Sequence, residues 1–462
     1  MNVAEQIVAQ LVDAGVHRIY GIVGDSLNPI VDAVRKTGGS KKGGIDWIHV
    51  RHEEAAAFAA SAEAQLTGKL AVCAGSCGPG NLHLINGLYD ANRTGAPVLA
   101  IASHIPSVQI GTMYFQETHP DRIFEECSVY NELISSAAQS PRTVNSAIRH
   151  AVGLGGVSVI TLPGDVSDLK AVEHIPTYAP ARPATLAPNA TDIEEAAALL
   201  NKADKVAIFA GAGVEGAHDE VIALADALKA PIGHSLRGKH FIQYDNPFDV
   251  GMTGLLGYGA AAEGMNDADV LILLGTDFPY DQFLPSTPTI QVDTRAEKLG
   301  RRTDVGLAIH AQVKPFIEAL MPHLRQDRSD SFLKRKLKKH AEIMHAPVGA
   351  YTRNVEKMHP IHPEYAAHLL NETATKDAIV TADTGMCNVW TARYLDPLGT
   401  RRLIGSFLHG SMANALPMAL GAQVAFPDRQ VVSVSGDGGL SMLLGELITA
   451  KMYNLPVKVV VF

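Results

Sequence analysis

Short runs of branched apolar residues alternate with helix-length segments along most of the 462-residue chain, and this alternation restricts the fold more than any other feature. Consecutive parallel strands need such intervals, because the chain must cross back over the sheet, usually as a helix. The pattern therefore predicts an α/β fold with doubly wound parallel sheets covered by helices on both faces. The predicted strands are His17–Val23, Asp46–Val50, Leu70–Ala74, Val98–Ala102, Val157–Leu162, Val206–Ala210, Val270–Leu274, Thr289–Val292, Ala378–Thr381, Arg402–Ile404, Val431–Val434 and Val457–Phe462.

Two interruptions divide the chain into three predicted domains, at residues 1–170, 191–325 and 362–462. Residues 171–190 read as a linker, because prolines recur there with little periodicity: Pro176, Pro180, Pro183 and Pro188. Residues 326–361 are predicted to be a charged connecting helix and linker. We interpret the basic run Lys334–Lys339 as the solvated face of that helix, in preference to a membrane or nucleic-acid site.

The third domain is predicted to be incomplete. A strand of buried type at Val457–Phe462 needs a neighbour and a further crossover, and the sequence stops there.

The composition excludes several classes of protein. The net charge is −9 and Lys and Arg form no long stripe, which argues against a nucleic-acid partner. The four cysteines lack metal-ligand or disulfide spacing, so reduced thiols in a cytoplasmic protein are expected. No export signal opens the sequence, and no apolar run approaches the roughly 18 residues that span a bilayer.

The strongest local motif is Ser435-Gly436-Asp437-Gly438-Gly439, directly after a predicted strand. A helical pattern then continues to Tyr453. An aspartate at a strand end offers a hard oxygen ligand to a divalent metal, and the glycines let backbone N–H groups approach phosphate oxygens. Taken alone, the motif fits a tight strand-to-helix turn with a capping aspartate equally well.

A second constellation, Arg51-His52-Glu53-Glu54, joins a strand to an alanine-rich helix. The helix dipole stabilises an acidic residue in the first turn by about 0.3–1 kcal/mol, which accounts for one of the two glutamates.

The Gly-Asp-Gly motif, the helical pattern and the apolar strand, in this order, resemble the first part of the thiamine-diphosphate signature. The resemblance implies that Asp437 binds Mg²⁺ and that Gly438 and Gly439 contact the diphosphate. In the family an asparagine after the second strand supplies another metal ligand, at a position beyond Phe462. We therefore expect the 462-residue chain to turn over substrate poorly.

The resemblance assigns roles to three further segments. Glu53 matches the carboxylate that bonds the aminopyrimidine ring of a cofactor held by the opposite subunit, which makes a dimer the smallest active unit. Met412, expected to open a helix, matches the apolar wedge that bends the cofactor, while Gly410 and Ser411 belong to the same binding segment. Phe115 and Gln116 match a Phe-Gln-Glu segment that approaches the substrate. His104 and His119 are interpreted as structural histidines in preference to acid–base groups.

In the middle domain, the Gly-Ala-Gly turn at residues 211–213 follows a strand and is a weak dinucleotide signal alone. Longer stretches at residues 249–257, 274–280 and 291–293 add to it. Together they resemble the FAD-binding domain of the bacterial pyruvate oxidase family, in particular its pyruvate:quinone oxidoreductases. The resemblance implies FAD contacts from Gly211, Gly213, Met252, Thr253, Gly254, Leu255, Gly275, Thr276, Asp277, Phe278, Pro279 and Asp293.

The implied activity is the oxidative decarboxylation of pyruvate to acetate and CO₂, with thiamine diphosphate, Mg²⁺ and FAD as cofactors and a membrane quinone as electron acceptor. The implied assembly is a dimer or tetramer, peripheral on the inner face of the cell membrane through a C-terminal segment beyond this sequence. Three alternatives remain open: an oxygen-using pyruvate oxidase, a carboligase of the acetolactate synthase type with non-redox FAD, and a non-catalytic flavin-binding scaffold.

Overall fold

The computed structural model describes residues 1–173, 178 and 184–462. These residues contain three parallel-sheet α/β domains, as the sequence predicts. The linker prolines Pro176, Pro180 and Pro183 lie outside the described residues. The domains form two compact units: Met1–Arg182 with Ile379–Cys387 and Ile404–Phe462, and Pro183–Ala378 with Asn388–Leu403.

The N-terminal sheet has six strands in the order β2-β1-β3-β4-β6-β5, and every pair is parallel. Its strands are β1 Arg18–Gly21, β2 Asp46–His49, β3 Ala71–Gly75, β4 Val98–His104, β5 Tyr130–Leu133 and β6 Val157–Pro163. Its helices are α1 Val3–Asp13, α2 Asn28–Lys36, α3 Glu53–Thr67, α4 Pro79–Thr94, α5 Pro120–Ile123, α6 Ser140–Leu154 and α7 Gly164–Asp168. A capping box begins α1, since Asn2 Oδ1 accepts the Glu5 N–H at 2.9 Å and Glu5 Oε2 accepts the Asn2 N–H at 3.1 Å.

The middle sheet has seven strands in the order β10-β9-β8-β7-β11-β12-β13. Its strands are β7 Val206–Ala210, β8 Ile232–His234, β9 Asp249–Met252, β10 Tyr258–Gly259, β11 Val270–Leu274, β12 Thr289–Asp293 and β13 Leu307–His310. Its helices are α8 Ala190–Lys202, α9 His218–Leu228, α10 Lys239–Ile242, α11 Ala261–Asn266 and α12 Val313–Leu320. The two-residue strand β10 is antiparallel to β9, so the sheet is not parallel throughout. A tight connection between them allows this, whereas a parallel pair would need a long crossover.

The connecting helix, α13, runs over Ser331–Ile343 and ends in a π turn over Met344–Val348. Its basic run is only partly solvated. Lys336 is 3% exposed, and its Nζ pairs with Glu263 at 2.6 Å and Asp267 at 2.5 Å on α11. Lys336 therefore fastens the helix to the middle domain, which corrects the interpretation at that position. The other basic residues of the run, Lys334, Arg335, Lys338 and Lys339, are exposed as expected.

The C-terminal sheet has four strands in the order β15-β14-β16-β17. They are β14 Ile379–Ala382, β15 Arg402–Gly405, β16 Val431–Ser435 and β17 Lys458–Val461. The helices of this block are α14 Pro363–Thr373, α15 Met386–Tyr394, α16 Ala415–Ala425, α17 Asp437–Met442 and α18 Glu446–Met452.

Two local expectations in this block were wrong. The helical pattern after Asp437 is broken into α17 and α18, because the chain turns at Leu443, which is 9% exposed and packs with core residues of the N-terminal block. Met412 does not open a helix: it lies in a turn, and α16 begins three residues later at Ala415.

All four cysteines are buried free thiols, as expected. None of the described helices is both long and apolar enough to cross a membrane.

Candidate functional site

Glu53 begins α3 at the carboxyl edge of the N-terminal sheet. The preceding His52 has an extended backbone, and its Nδ1 accepts the Glu54 N–H at 3.2 Å, which caps the helix. The Glu53 side chain is only 9% exposed. A Cβ added to Gly80 would lie 3.0 Å from Glu53 Oε1, so this oxygen faces the glycine-rich turn after β3.

The other Glu53 oxygen has a partner that the sequence did not indicate. His83, on α4, places its Nδ1 3.0 Å from Glu53 Oε2. Its ring stacks on the ring of His52, with centroids 4.4 Å apart. Glu54 instead accepts from Asn86 Nδ2 at 2.6 Å. The two adjacent glutamates therefore differ in their partners, and Glu53 is the one directed at the turn.

Gln116 lies beside the same turn. Its backbone has a φ of +62°, and a Cβ on Gly78 would lie 2.9 Å from Gln116 Cβ. The Cys77 thiol donates to Gln116 Oε1 at 3.4 Å, which leaves the Nε2 amide as the donor that a ligand can use. Phe115 is 78% exposed. Glu53 and Gln116 thus meet around one glycine turn, with Phe115 as an exposed apolar neighbour in sequence.

Asp437 and Asp383 follow neighbouring strands of the C-terminal sheet, since β14 and β16 pair with Ala382 opposite Val434. Asp437 is exposed, and its Oδ1 accepts the Gly438 N–H at 2.7 Å. Asp383 is 1% exposed, and its Oδ2 has no hydrogen-bond partner among the described residues. Carboxylate oxygens at adjacent strand ends are the hard ligands that Mg²⁺ prefers, so this edge fits a metal-bound diphosphate.

Asp383 is closely packed and electrostatically perturbed. A Cβ on Gly439 would overlap its carboxylate, so only glycine fits at that position. Burial raises the pKa of Asp383 to about 6, although hydrogen bonds from Thr384 and Asn414 act in the opposite direction.

Asn414 stabilises the turn that contains Met412. It is fully buried; its Nδ2 donates to Asp383 Oδ1 at 3.1 Å and to the Ser411 carbonyl at 2.8 Å. Its Oδ1 accepts the Ser406 N–H at 3.2 Å. A carboxylate on one strand end and an amide before α16 therefore fix the backbone between them.

The turn itself has two residues with a left-handed backbone, Gly410 at φ +77° and Ala413 at φ +67°. Met412 projects from it and is 42% exposed. A Cβ on Gly438 would lie 3.3 Å from Met412 Cε, so the Met412 side chain reaches the Gly-Asp-Gly loop. The structure thus brings Gly410–Met412 and Gly438 together.

Side chains also join the N-terminal and C-terminal blocks within the first unit. Asn86 Nδ2 donates to Ser411 Oγ at 2.8 Å. Glu446, on α18, accepts the N–H groups of Arg51 at 2.8 Å and His52 at 3.0 Å. The segment that leads into Glu53 is therefore anchored by a carboxylate from the other block.

The second unit carries a different kind of site, built from backbone. Gly211, Gly213 and Gly275 pack against one another where β7 and β11 end. Gly213 donates to the Gly275 carbonyl at 3.0 Å, and a Cβ on Gly213 would lie 2.6 Å from Gly275 Cα. Gly275 has a φ of +59°, and a Cβ on Gly211 would overlap the Gly275 carbonyl and buried Thr276. This glycine crest, residues 211, 213 and 275, leaves bare backbone for a ligand to approach.

Met252 ends β9 in the same unit, and residues 253–255 follow it. Met252 is buried, while Leu255 is 63% exposed. Gly254 has a φ of +101°, and a Cβ there would lie 2.8 Å from Cζ of Phe278, which is itself buried. The buried Thr253 Oγ1 has no hydrogen-bond partner among the described residues. An unpartnered buried hydroxyl is costly unless a ligand satisfies it, so this segment fits a bound cofactor.

Acidic residues follow β11 and β12. Asp293 ends β12 at 7% exposure, and its Oδ1 accepts the Arg295 N–H at 2.9 Å. Burial raises the pKa of Asp293. Asp277 instead forms an ion pair with Arg301, and Pro279 is exposed. Asp293 is thus the carboxylate placed for a hydroxyl-bearing ligand, whereas Asp277 already has a cationic partner.

Two basic side chains, Arg295 and Lys298, lie within electrostatic reach of Asp293. Burial lowers the pKa of Lys298, the Asp293 charge raises it, and the charges of Arg295 and Arg237 lower it further. Arg295 also forms an ion pair with Glu297 at 2.7 Å. Cations near a strand end favour an anionic ligand.

The sequence matches three family descriptions in chain order. Residues 1–123 match the thiamine pyrophosphate enzyme N-terminal TPP binding domain, residues 193–320 the central domain, and residues 383–462 the C-terminal TPP binding domain. The chain belongs to the thiamine pyrophosphate enzyme family.

Curated relatives of this chain have different activities. A putative thiamine pyrophosphate-containing protein of Bacillus subtilis is 36% identical over 99% of this chain and 79% of its own length. The pyruvate oxidase of Lactiplantibacillus plantarum is 32% identical over 97% and 74%, respectively. The acetolactate synthase isozyme 2 large subunit of Escherichia coli is 31% identical over 100% and 82%. The comparisons therefore establish the family but not which reaction of the family this chain catalyses.

Sequence reasoning missed several polar residues of these sites. Asp383 gave one signal: it ends a predicted strand, as Asp437 does. His83 and Asn414 gave none, because their roles depend on partners 30 and 31 residues away. The additional residues are His83, Asn86, Arg237, Lys298, Asp383, Asn414 and Glu446.

Proposed function

We propose that this chain is a flavin-containing, thiamine-diphosphate-dependent enzyme that oxidises pyruvate with a quinone. Pyruvate, water and quinone give acetate, CO₂ and the quinol, so the two electrons and two protons released from the substrate are accounted for. The observation that carries the proposal is the position of Glu53. Its side chain is 9% exposed and faces the glycine turn that also contacts Gln116.

The side chains at that turn have distinct tasks. Glu53 would present Oε1 to the aminopyrimidine of a cofactor carried by the partner subunit. Gln116 offers its Nε2–H to the carboxylate of pyruvate, because the Cys77 thiol occupies its Oε1. Phe115 supplies an apolar surface that excludes water when covered.

The C-terminal block holds and bends the thiamine cofactor in this proposal. Asp437 binds Mg²⁺, Met412 supports the bent form, and Asp383 and Asn414 fix the Met412 turn. When bound, thiamine diphosphate supplies the electron sink for loss of CO₂, and FAD accepts the two electrons.

The glycine crest, Asp293 and Thr253 support the flavin half of the proposal. Bare backbone suits a pyrophosphate, and the cations Arg237, Arg295 and Lys298 match its charge. Asp293, at a strand end, suits a ribose hydroxyl.

Carboligation is the second candidate, favoured by the 31% identity to an acetolactate synthase subunit. Such an enzyme joins two pyruvate-derived units, and its substrate does not need to reduce the flavin. The 32% identity to a pyruvate oxidase favours oxidation to a similar degree. The reaction products must therefore distinguish oxidation from carboligation.

The experiment incubates the purified protein with Mg²⁺, thiamine diphosphate, FAD and pyruvate, with a soluble quinone or with oxygen alone. We expect slow, quinone-dependent turnover, with acetate and CO₂ in equal amounts and little peroxide. Acetolactate with the flavin left oxidised would replace the proposal by carboligation, and stoichiometric peroxide would replace the quinone by oxygen. The Glu53→Gln variant is the matched control for turnover that does not use this site.

A further inference from the structure

His52, Glu53 and His83 form a compact group of potential metal ligands. One ligand atom from each lies within 4.8 Å of the others, and no second group of three meets this criterion in the part of the chain that the structure describes. The carboxylate is 9% exposed, whereas the two imidazole side chains are 36% and 46% exposed. The group therefore has a buried carboxylate and two partly exposed imidazoles, and an ion can enter from the side of the imidazoles.

The spacing of His83 and Glu53 suits a shared metal ion as well as a hydrogen bond. Metal–nitrogen and metal–oxygen bonds of about 2.0–2.2 Å place neighbouring ligand atoms roughly 2.9–3.4 Å apart for angles between square and tetrahedral. The His83 Nδ1 to Glu53 Oε2 distance of 3.0 Å lies within that interval. The stacked rings of His52 and His83, 4.4 Å apart, bring the second imidazole to the same side.

The donor set selects the class of ion. Two imidazoles and one carboxylate favour zinc and its first-row neighbours, while Mg²⁺ prefers an all-oxygen set. The ion would therefore differ from the Mg²⁺ proposed at Asp437.

We propose that His52, Glu53 and His83 bind a divalent transition metal such as Zn²⁺, and that the bound ion blocks the thiamine site. A cation on Glu53 neutralises the carboxylate that must bond the aminopyrimidine, so metal and cofactor compete for one side chain. The competition rests on the proposed function of Glu53, whereas the metal site rests on geometry alone.

Zn²⁺ binding is measured on the full chain without cofactors, by competition with a chromophoric chelator. The variants are His52→Asn, which retains a good helix N-cap, and His83→Asn, with exposed His17→Asn as the matched control. Losing a ligand should weaken Zn²⁺ binding at least about tenfold in the first two variants and leave the control unchanged. Absence of Zn²⁺ binding by the unmodified chain, or equal binding by all four proteins, would overturn the site.

A second arm repeats the chelator competition in the presence of thiamine diphosphate and Mg²⁺. We expect weaker Zn²⁺ binding with the cofactor, and Zn²⁺ inhibition of pyruvate turnover that His83→Asn relieves. Zn²⁺ affinity that does not respond to the cofactor would overturn the competition. If the chain does not turn over pyruvate at all, the proposed function fails while the first arm still decides the metal site.

Discussion

The N-terminal sheet and the middle sheet present different chemical groups at their carboxyl edges. The N-terminal edge presents polar side chains, with Glu53 and Gln116 arranged around a turn. The middle edge presents backbone, because Gly213 and Gly275 approach too closely to admit a Cβ. The first arrangement suits proton transfer at one atom, and the second suits close contact with an extended phosphate-bearing ligand.

This difference predicts how each edge responds to substitution. At the side-chain edge, an isosteric change should remove chemistry while the fold remains. At the backbone edge, a single added methyl group should disturb folding and ligand binding together.

The largest expected effect is that of Glu53→Gln. The amide keeps the shape of the side chain but cannot exchange a proton as a carboxylate does, so turnover of pyruvate should fall by about 10²–10⁴-fold. The free energy of unfolding in urea should change by about 1 kcal/mol, because the amide can keep the contact with His83 and a favourable charge in the first turn of α3 is lost. A variant that loses stability in parallel with activity would show that Glu53 is structural.

Gly275→Ala tests the backbone edge. The new Cβ would collide with the Gly213 backbone, and φ is +59°. Overpacking of about 1–3 kcal/mol and left-handed strain of about 1–2 kcal/mol should both destabilise the chain, and the flavin content should drop. Gly216→Ala is the control, since Gly216 has a φ of +74° but open space around its Cβ position. It should show the strain alone and retain flavin; equal losses in both variants would contradict the close-packing account.

Asp383→Asn tests the buried carboxylate of the C-terminal block without cofactors. Since burial raises the pKa of Asp383 from 3.8 to about 6, the folded chain binds more protons than the unfolded chain between these values. Stability from this group is therefore complete below about pH 4 and is lost as the pH rises through about 6. Relative to the variant, the unmodified chain should lose up to about 3 kcal/mol of unfolding free energy across this window. Parallel pH profiles would contradict the raised pKa.

The smallest expected effect is that of Asn86→Ala, which removes the hydrogen bonds to Glu54 and Ser411. Partly buried hydrogen bonds of this kind contribute about 1 kcal/mol each, so the free energy of unfolding should fall by roughly 1–2 kcal/mol. Asn145→Ala, which removes an exposed contact with Arg149, should change stability much less. Equal effects would show that Asn86 does not join the two blocks.

The sequence predicted the strands that are long and apolar and missed several short ones. Long branched apolar runs such as Val206–Ala210 and Val270–Leu274 coincide with observed strands. The strands that were not predicted are short: β5, β8, β9, β10 and β13 have two to four residues, and β13 alternates buried and exposed positions. Short strands are stabilised by their neighbours in the sheet, which local sequence does not reveal.

The candidate sites divide in the same way. Gly211 and Gly213 were predicted from a glycine turn after a strand, and Gly275 from the resemblance of the middle domain. Glu53 and Asp437 were predicted because they adjoin strand ends within recognisable motifs. His83, Asn414 and Lys298 were missed because their importance comes from partners brought close by tertiary packing. The contacts proposed for individual residues stay predictions.

The most direct test of the two-edge account is the anaerobic absorbance of the bound flavin after pyruvate is added with thiamine diphosphate and Mg²⁺. We predict that the unmodified chain bleaches its flavin and releases acetate, while Glu53→Gln binds the same amount of flavin and leaves it oxidised. Flavin that bleaches equally fast in Glu53→Gln, or stays oxidised in the unmodified chain, would contradict the account.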